Sequence, residues 1–285
     1  MGHTPDKMIR SLIVLLIVTS LAPVPTGAGP VLELSDTAIR QGEALGVTVR
    51  GAPGDAVVRF AGRTWPLYRT GDVRRTYLGA DARTKPGAYA LSVVAGGRVL
   101  AKRTVTVTKV AFRQRRLRLD PDKEALFTPA MVAEEQRKVS EALQVLAPEP
   151  MWEGTFITPA VAAPISSPYG VQSVYNGTVR GFHRGTDFAA PTGTPVRAAN
   201  HGIVRLADAL PLSGNAVFVD HGLGVLTGYF HMSKLEVRPG ERVRKGDLLG
   251  LVGSTGVATG AHLHWGMRVN GIYVDPIPWT VDGAP

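Results

Sequence analysis

Three observations predict a mainly β protein of two domains. The 285 residues include 33 glycines and 21 prolines, more chain breakers than long helices tolerate. Short apolar runs recur between Gly, Pro and Asp over residues 31–108, the spacing of a sandwich of short strands. A second β pattern, richer in glycine, begins at Ile165 after one helix-like stretch. A chain of this length can bury two cores.

Taken in order, the chain opens with an export signal. Lys7 and Arg10 form a basic n-region, Ser11 to Ala22 an apolar h-region, and Thr26-Gly27-Ala28 a small-residue cleavage site. About 12 apolar residues fall short of the roughly 20 that span a bilayer, so residues 1–28 are expected to be a signal peptide rather than an anchor. The mature protein is then expected in the periplasm or cell envelope, or outside the cell, touching membrane only through the uncleaved signal segment.

There is no cysteine, which excludes disulfides, thiolate ligands and a cysteine nucleophile. The formal charge is +9. Removing residues 1–28 takes Lys7, Arg10 and Asp6, leaving 30 basic against 22 acidic groups, or +8. A field of that sign favours anionic cell-wall polymers or lipid headgroups over nucleic acid as partners of an exported protein, or describes a solvated basic surface with no partner at all.

Residues 29–110 are expected to form an Ig-like β-sandwich. Its runs are Ala44 to Val49, Ala56 to Phe60, Val73 to Leu78, Gly87 to Ala95 and Arg98 to Thr108. Gly96-Gly97 between the last two is a tight hairpin signal, since glycine accepts the positive φ of such turns. No histidine lies between His3 and His183, so this region reads as a binding or positioning module.

Residues 111–158 read as a basic and helical linker. Phe112 to Arg118 carries four arginines, a solvated charge run or a clamp for an anionic polymer. Thr128 can cap a helix with Pro129 in its first position. Val132, Val139, Leu143 and Leu146 recur near helical spacing until Pro148 and Pro150 end it. That helix is expected between the domains. Met151 to Pro164 reads as an extended lead into the second domain, residues 159–285, an antiparallel β unit. Within it, Ser173 to Arg180 and Ala209 to Asn215 read as loops without motif character.

The chemistry gathers in this second domain. In Ala261-His262-Leu263-His264-Trp265-Gly266 the two imidazoles share one strand face. Leu263, Trp265, Met267 and Val269 take the other, and burying them pins the register. Upstream, His183-Arg184-Gly185-Thr186-Asp187 supplies a third imidazole and a carboxylate. Without thiolates a zinc ion takes nitrogen and oxygen ligands, three from the protein with one position open. His183, Asp187 and one of His262 and His264 would make that set. His201 and His221, beside glycines in turns, read as structural.

With Ser167-Pro168-Tyr169-Gly170, Gly193-Thr194-Pro195-Val196, Val219-Asp220-His221-Gly222, Tyr229-Phe230-His231, Gly253-Ser254-Thr255-Gly256 and His262-Leu263-His264, residues of about 165–279 resemble the lysostaphin-type, LytM-like zinc metallopeptidases that cut peptidoglycan peptides. The resemblance implies a Zn2+ held by His183, Asp187 and His264, with His231 and His262 flanking the open position as catalytic groups, either of which can act as base. It implies peptidoglycan peptides as substrate. A site tyrosine has two candidates, Tyr175 and Tyr169, the latter better suited to core packing. Two other expectations stand beside this one: a non-catalytic regulator on the same fold, and an enzyme kept latent by an upstream domain or linker over the cleft.

Overall fold

The computed structural model describes residues 29–118, 120–160 and 162–285; the expected signal peptide, residues 1–28, lies outside the described residues. The N-terminal part is built of β1 (Val31–Leu34), β2 (Ala38–Arg40), β3 (Ala44–Arg50), β4 (Val57–Phe60), β5 (Arg63–Pro66), β6 (Tyr68–Thr70), β7 (Val73–Gly79), β8 (Gly87–Ala95) and β9 (Arg98–Thr108). Two sheets, β1-β3-β7-β6 and β2-β9-β8-β4-β5, enclose one core in which Leu45, Val58, Leu78, Leu91, Val93 and Val105 are fully buried. All five runs singled out in the sequence are strands. The β8–β9 turn has φ 51° at Gly96 and 75° at Gly97, the left-handed pair a two-residue hairpin demands. The unpredicted β1, β2, β5 and β6 have only three or four residues, too few for alternation to show.

The rest of the chain comprises β10 (Gln114–Leu117), α1 (Pro121–Glu124), α2 (Pro129–Ala142), β11 (Ile165–Ser167), β12 (Gln172–Tyr175), β13 (Thr178–Phe182), β14 (Thr186–Phe188), β15 (Pro195–Arg197), β16 (Gly202–Leu210), β17 (Gly214–Gly222), β18 (Val225–Met232), β19 (Lys234–Leu235), β20 (Arg242–Val243), β21 (Leu248–Leu251), β22 (Leu263–Val269), β23 (Ile272–Val274) and α3 (Pro278–Val281). Its main sheet runs β11-β14-β22-β18-β17-β16-β20, with β23 added to β22. Smaller sheets, β10-β12-β13 and β15-β21-β19, border it.

Three segments differ from the sequence reading. The arginine-rich stretch supplies β10, which pairs in parallel with β12; its backbone found a ladder, so Arg115 turns inward and Arg116 outward. Ser173 to Arg180 is mostly a hairpin, turning at Asn176 and Gly177 with φ 48° and 83°. Trp152 and Phe156 join the C-terminal core, because Phe156, Trp279 and Tyr77 bury a shared aromatic cluster. Helix α2 begins as predicted, with Thr128 Oγ1 accepting from the Met131 N–H at 3.2 Å. Its Val139 and Ala142, with Leu143, rest on Leu206, Leu210, Phe218 and Phe230 of the main sheet.

Polar contacts join the two β units. Tyr169 Oη accepts from the Ala82 N–H at 3.1 Å and donates to the Tyr273 carbonyl at 2.9 Å. Asn270, at φ 45°, accepts from the Tyr68 hydroxyl at 2.8 Å and donates to Thr76 Oγ1 and the Tyr77 carbonyl at 3.0 and 2.9 Å.

Candidate active site

Strand register places the first two site residues. Along β14 and β22, Asp187 is the direct partner of His264. Leu263, Trp265, Met267 and Val269 have no exposed surface, so the opposite pleat face must carry His264 outward. His264 Nδ1 lies 2.7 Å from Asp187 Oδ1. His262 sits just before β22, bridged to Gly253, with its Nε2 3.9 Å from the same oxygen.

His183 follows β13 and is fixed by backbone. Its N–H donates to the Val171 carbonyl at 2.8 Å, and Nδ1 meets the Pro168 carbonyl at 2.9 Å. Nε2 therefore points at Asp187 Oδ1, 2.9 Å away, and at His264 Nδ1, 3.0 Å away. Gly185 makes this approach possible: a Cβ there would stand 2.4 Å from the Trp265 carbonyl oxygen and 2.8 Å from His264 Cε1.

His183 Nε2, Asp187 Oδ1 and His264 Nδ1 form a tight triangle of two imidazole nitrogens and a carboxylate oxygen. With the His183 Nδ1 proton committed to Pro168, its Nε2 presents a lone pair, and so the triangle needs a cation or an extra proton. Ligand atoms of a tetrahedral zinc are about 3.3 Å apart for bonds of about 2.0–2.1 Å. The donor set therefore fits zinc with only a slight opening. Burial works against the Asp187 carboxylate, but hydrogen bonds to His183 and His264 and their charge outweigh it and hold that carboxyl well below the usual range. Burial pushes the His264 ring down despite Asp187, favouring the neutral, ligating form.

His231 ends the run of β18 in the left-handed region, φ 61°, a conformation that costs a non-glycine residue roughly 1–2 kcal/mol. Its N–H donates to the Ser213 carbonyl and Nδ1 meets the Thr255 carbonyl at 2.8 Å. Its ring centroid is 4.9 Å from that of His262, whose Nδ1 meets the Gly260 carbonyl at 2.9 Å. Both rings thus turn Nε2 away from those carbonyls. Burial, reinforced by His262 and His264, pushes the His231 ring down to about 3.

All five histidine and aspartate side chains singled out for the site line one cavity of about 560 Å³. Tyr175 lines it too. Tyr169 is held at the domain junction instead, where burial raises its hydroxyl. His201 and His221 lie apart: buried His221 meets the His201 carbonyl and Thr227 Oγ1, each at 2.7 Å.

Sequence reasoning missed the contribution from upstream. Arg115 Nη1 stands 3.5 Å from Asp187 Oδ2, and its Nε donates to Ser173 Oγ at 3.1 Å. Phe127 and Glu135 also line the cavity. Glu135 accepts from the N–H groups of Leu212 and Ser213 at 2.7 and 3.0 Å and from Ser213 Oγ at 2.6 Å. Only the inward step of a two-residue period could have marked Arg115, and the run of arginines hid it.

The five convergent side chains fall inside residues 181–276, the segment matched by the model of peptidase family M23. This segment is similar to peptidase family M23. The peptidoglycan DD-endopeptidase ShyC of Vibrio cholerae is 44% identical over 94 residues, 33% of this chain and 22% of that protein. The DD-carboxypeptidase/endopeptidase Mpg of Neisseria meningitidis is 43% identical over 124 residues, 44% of this chain and 29% of Mpg. The M23 match thus spans under a third of these curated relatives. A crystal structure of a candidate M23 peptidase from Pseudomonas aeruginosa covers 84% of this chain and 94% of its own, at 28% identity and a TM-score of 0.62. That likeness reaches beyond the M23 domain into the N-terminal sheets.

Proposed function

We propose that this protein is an exported zinc endopeptidase that hydrolyses peptide bonds of peptidoglycan. The observation that carries the reading is the triangle of His183 Nε2, Asp187 Oδ1 and His264 Nδ1 with two further imidazoles beside it. Zinc bound there supplies a water whose pKa falls toward 7 and polarises the scissile carbonyl. His183, Asp187 and His264 hold the ion. His231 and His262 are poised alike, each with Nδ1 tied to a carbonyl and Nε2 turned away from it. One takes the proton of the attacking water at Nε2, and a ring so protonated donates to the oxyanion or the leaving amine.

The likeness to ShyC, a peptidoglycan DD-endopeptidase, supports peptidoglycan as substrate, and hence a place in the cell envelope. The basic charge suits adsorption to anionic wall polymers. A regulator without catalysis is the weaker reading, since it leaves five convergent polar side chains without a task. Clearing of murein in a gel, its loss to a chelator and its return with zinc test the proposal; clearing that persists in excess chelator would sink it.

A further inference from the structure

Residues 120–142 cross the cleft. Lys123 and Glu124, neighbours in α1, reach different rims: Lys123 Nζ donates to the carbonyls of Ser254 and Gly256 at 3.2 and 2.7 Å, while Glu124 Oε2 accepts from Asn176 Nδ2 at 2.7 Å. Phe127 then meets Tyr175, ring centroids 6.3 Å apart, on the Asn176 side. Glu135 returns to Leu212 and Ser213 on the Lys123 side, where the Val257 N–H ties the two loops together through the Leu212 carbonyl at 2.8 Å.

The groove continues on both sides of this crossing. The cavity at the histidines and a second one of about 1050 Å³, reaching Asp81 and Arg83 of the N-terminal domain, share His183, Arg184, Ser213 and Phe230 as walls. Phe127 and Glu135 belong to both cavities, so the crossing lies over the groove rather than at its end. Neither α1 nor α2 has a buried residue. Helix α2 rests on the main sheet through Val139 and Ala142, whereas α1 is tied to the rims by Lys123 and Glu124. An element without a core of its own lies at the low end of local stability and can open without global unfolding.

A bridge over a groove sorts polymers by topology. A stem peptide with a free carboxyl end can thread beneath it. A cross-link fastened to glycan at both ends has no end to thread. We propose that the 120–142 strap selects substrate: closed, it admits peptides with a free end, and cross-links enter only when the ties of Lys123 and Glu135 are released. This rests on the zinc peptidase reading and adds its substrate class and its control.

The test uses the full zinc-loaded chain with Lys123→Ala, Glu135→Ala and the double variant. Two substrates are compared, a soluble linear stem pentapeptide and insoluble cross-linked sacculi. The double variant should raise the rate on sacculi about tenfold relative to the pentapeptide, the shift expected when charge-assisted hydrogen bonds leave the closed state. Amide exchange over 120–142 should quicken while the melting temperature holds. An unchanged ratio, or a rise on both substrates together, overturns selection while leaving the peptidase intact. If wild type and variants load zinc yet cut neither substrate, the functional reading falls and takes the strap's role with it.

Discussion

Asp187 and His264 face each other across β14 and β22 as direct register partners, with Oδ1 and Nδ1 2.7 Å apart. The spacing of these two atoms is thereby set by sheet pairing and not by a loop. The four buried apolar residues of β22 lock that register.

Gly185→Ala should damage the site without touching a ligand. The new methyl meets the Trp265 carbonyl and the His264 ring, and such overpacking costs about 1–3 kcal/mol. Competition against a chromogenic chelator should show zinc affinity falling about 10- to 100-fold, the usual effect of disturbing what orients a ligand. Unaltered affinity would mean the strands adjust freely.

His231→Ala and His262→Ala should separate chemistry from metal binding. Each variant is expected to retain zinc and to lose about 10²- to 10⁴-fold in turnover, the range for removing a proton-transfer group. Single-turnover rates and metal content on the same preparations check both halves.

Protonation of His221 should weaken the fold in acid. Burial pushes this ring down to about 4, while the unfolded residue titrates near 6.5. The unfolded chain therefore binds the proton first. Stability should decline as pH falls from about 6.5 and level off below about 4, by about 3 kcal/mol. Urea unfolding at stepped pH measures the slope, and His221→Gln should flatten it.

The domain junction rests on Asn270. Asn270→Ala removes its bonds to Tyr68, Thr76 and Tyr77 and puts alanine at φ 45°. A loss of about 3 kcal/mol is expected. Asn270→Gly, which tolerates the backbone angle, should lose less, and the difference in urea midpoint isolates the strain.

The histidine pair was legible because His262 and His264 alternate with Leu263, Trp265, Met267 and Val269; His183 and Asp187 came from their own motif, and the choice of His264 over His262 came from the family resemblance. The β8–β9 hairpin was legible through Gly96-Gly97. Asn176-Gly177 carried the same kind of turn signal, but the strands it joins have only four and five residues, too short to declare themselves. Arg115 was hidden for another reason: its partner Ser173 is 58 residues away, and four arginines in a row of polar chain look solvated. Trp152 and Phe156 lay in a Pro-, Ala- and Thr-rich stretch whose burial depends on Trp279, at the far end of the domain. The crossing of the cleft by residues 120–142 was not legible, because it depends on long-range polar ties that no periodicity encodes.

Zinc stoichiometry tests the central claim most directly. Folded full-length protein should carry about one zinc per chain, and His264→Ala almost none, with its β-sheet spectrum retained. A folded His264→Ala protein that still carries one zinc would contradict the triangle of His183, Asp187 and His264 as the metal site.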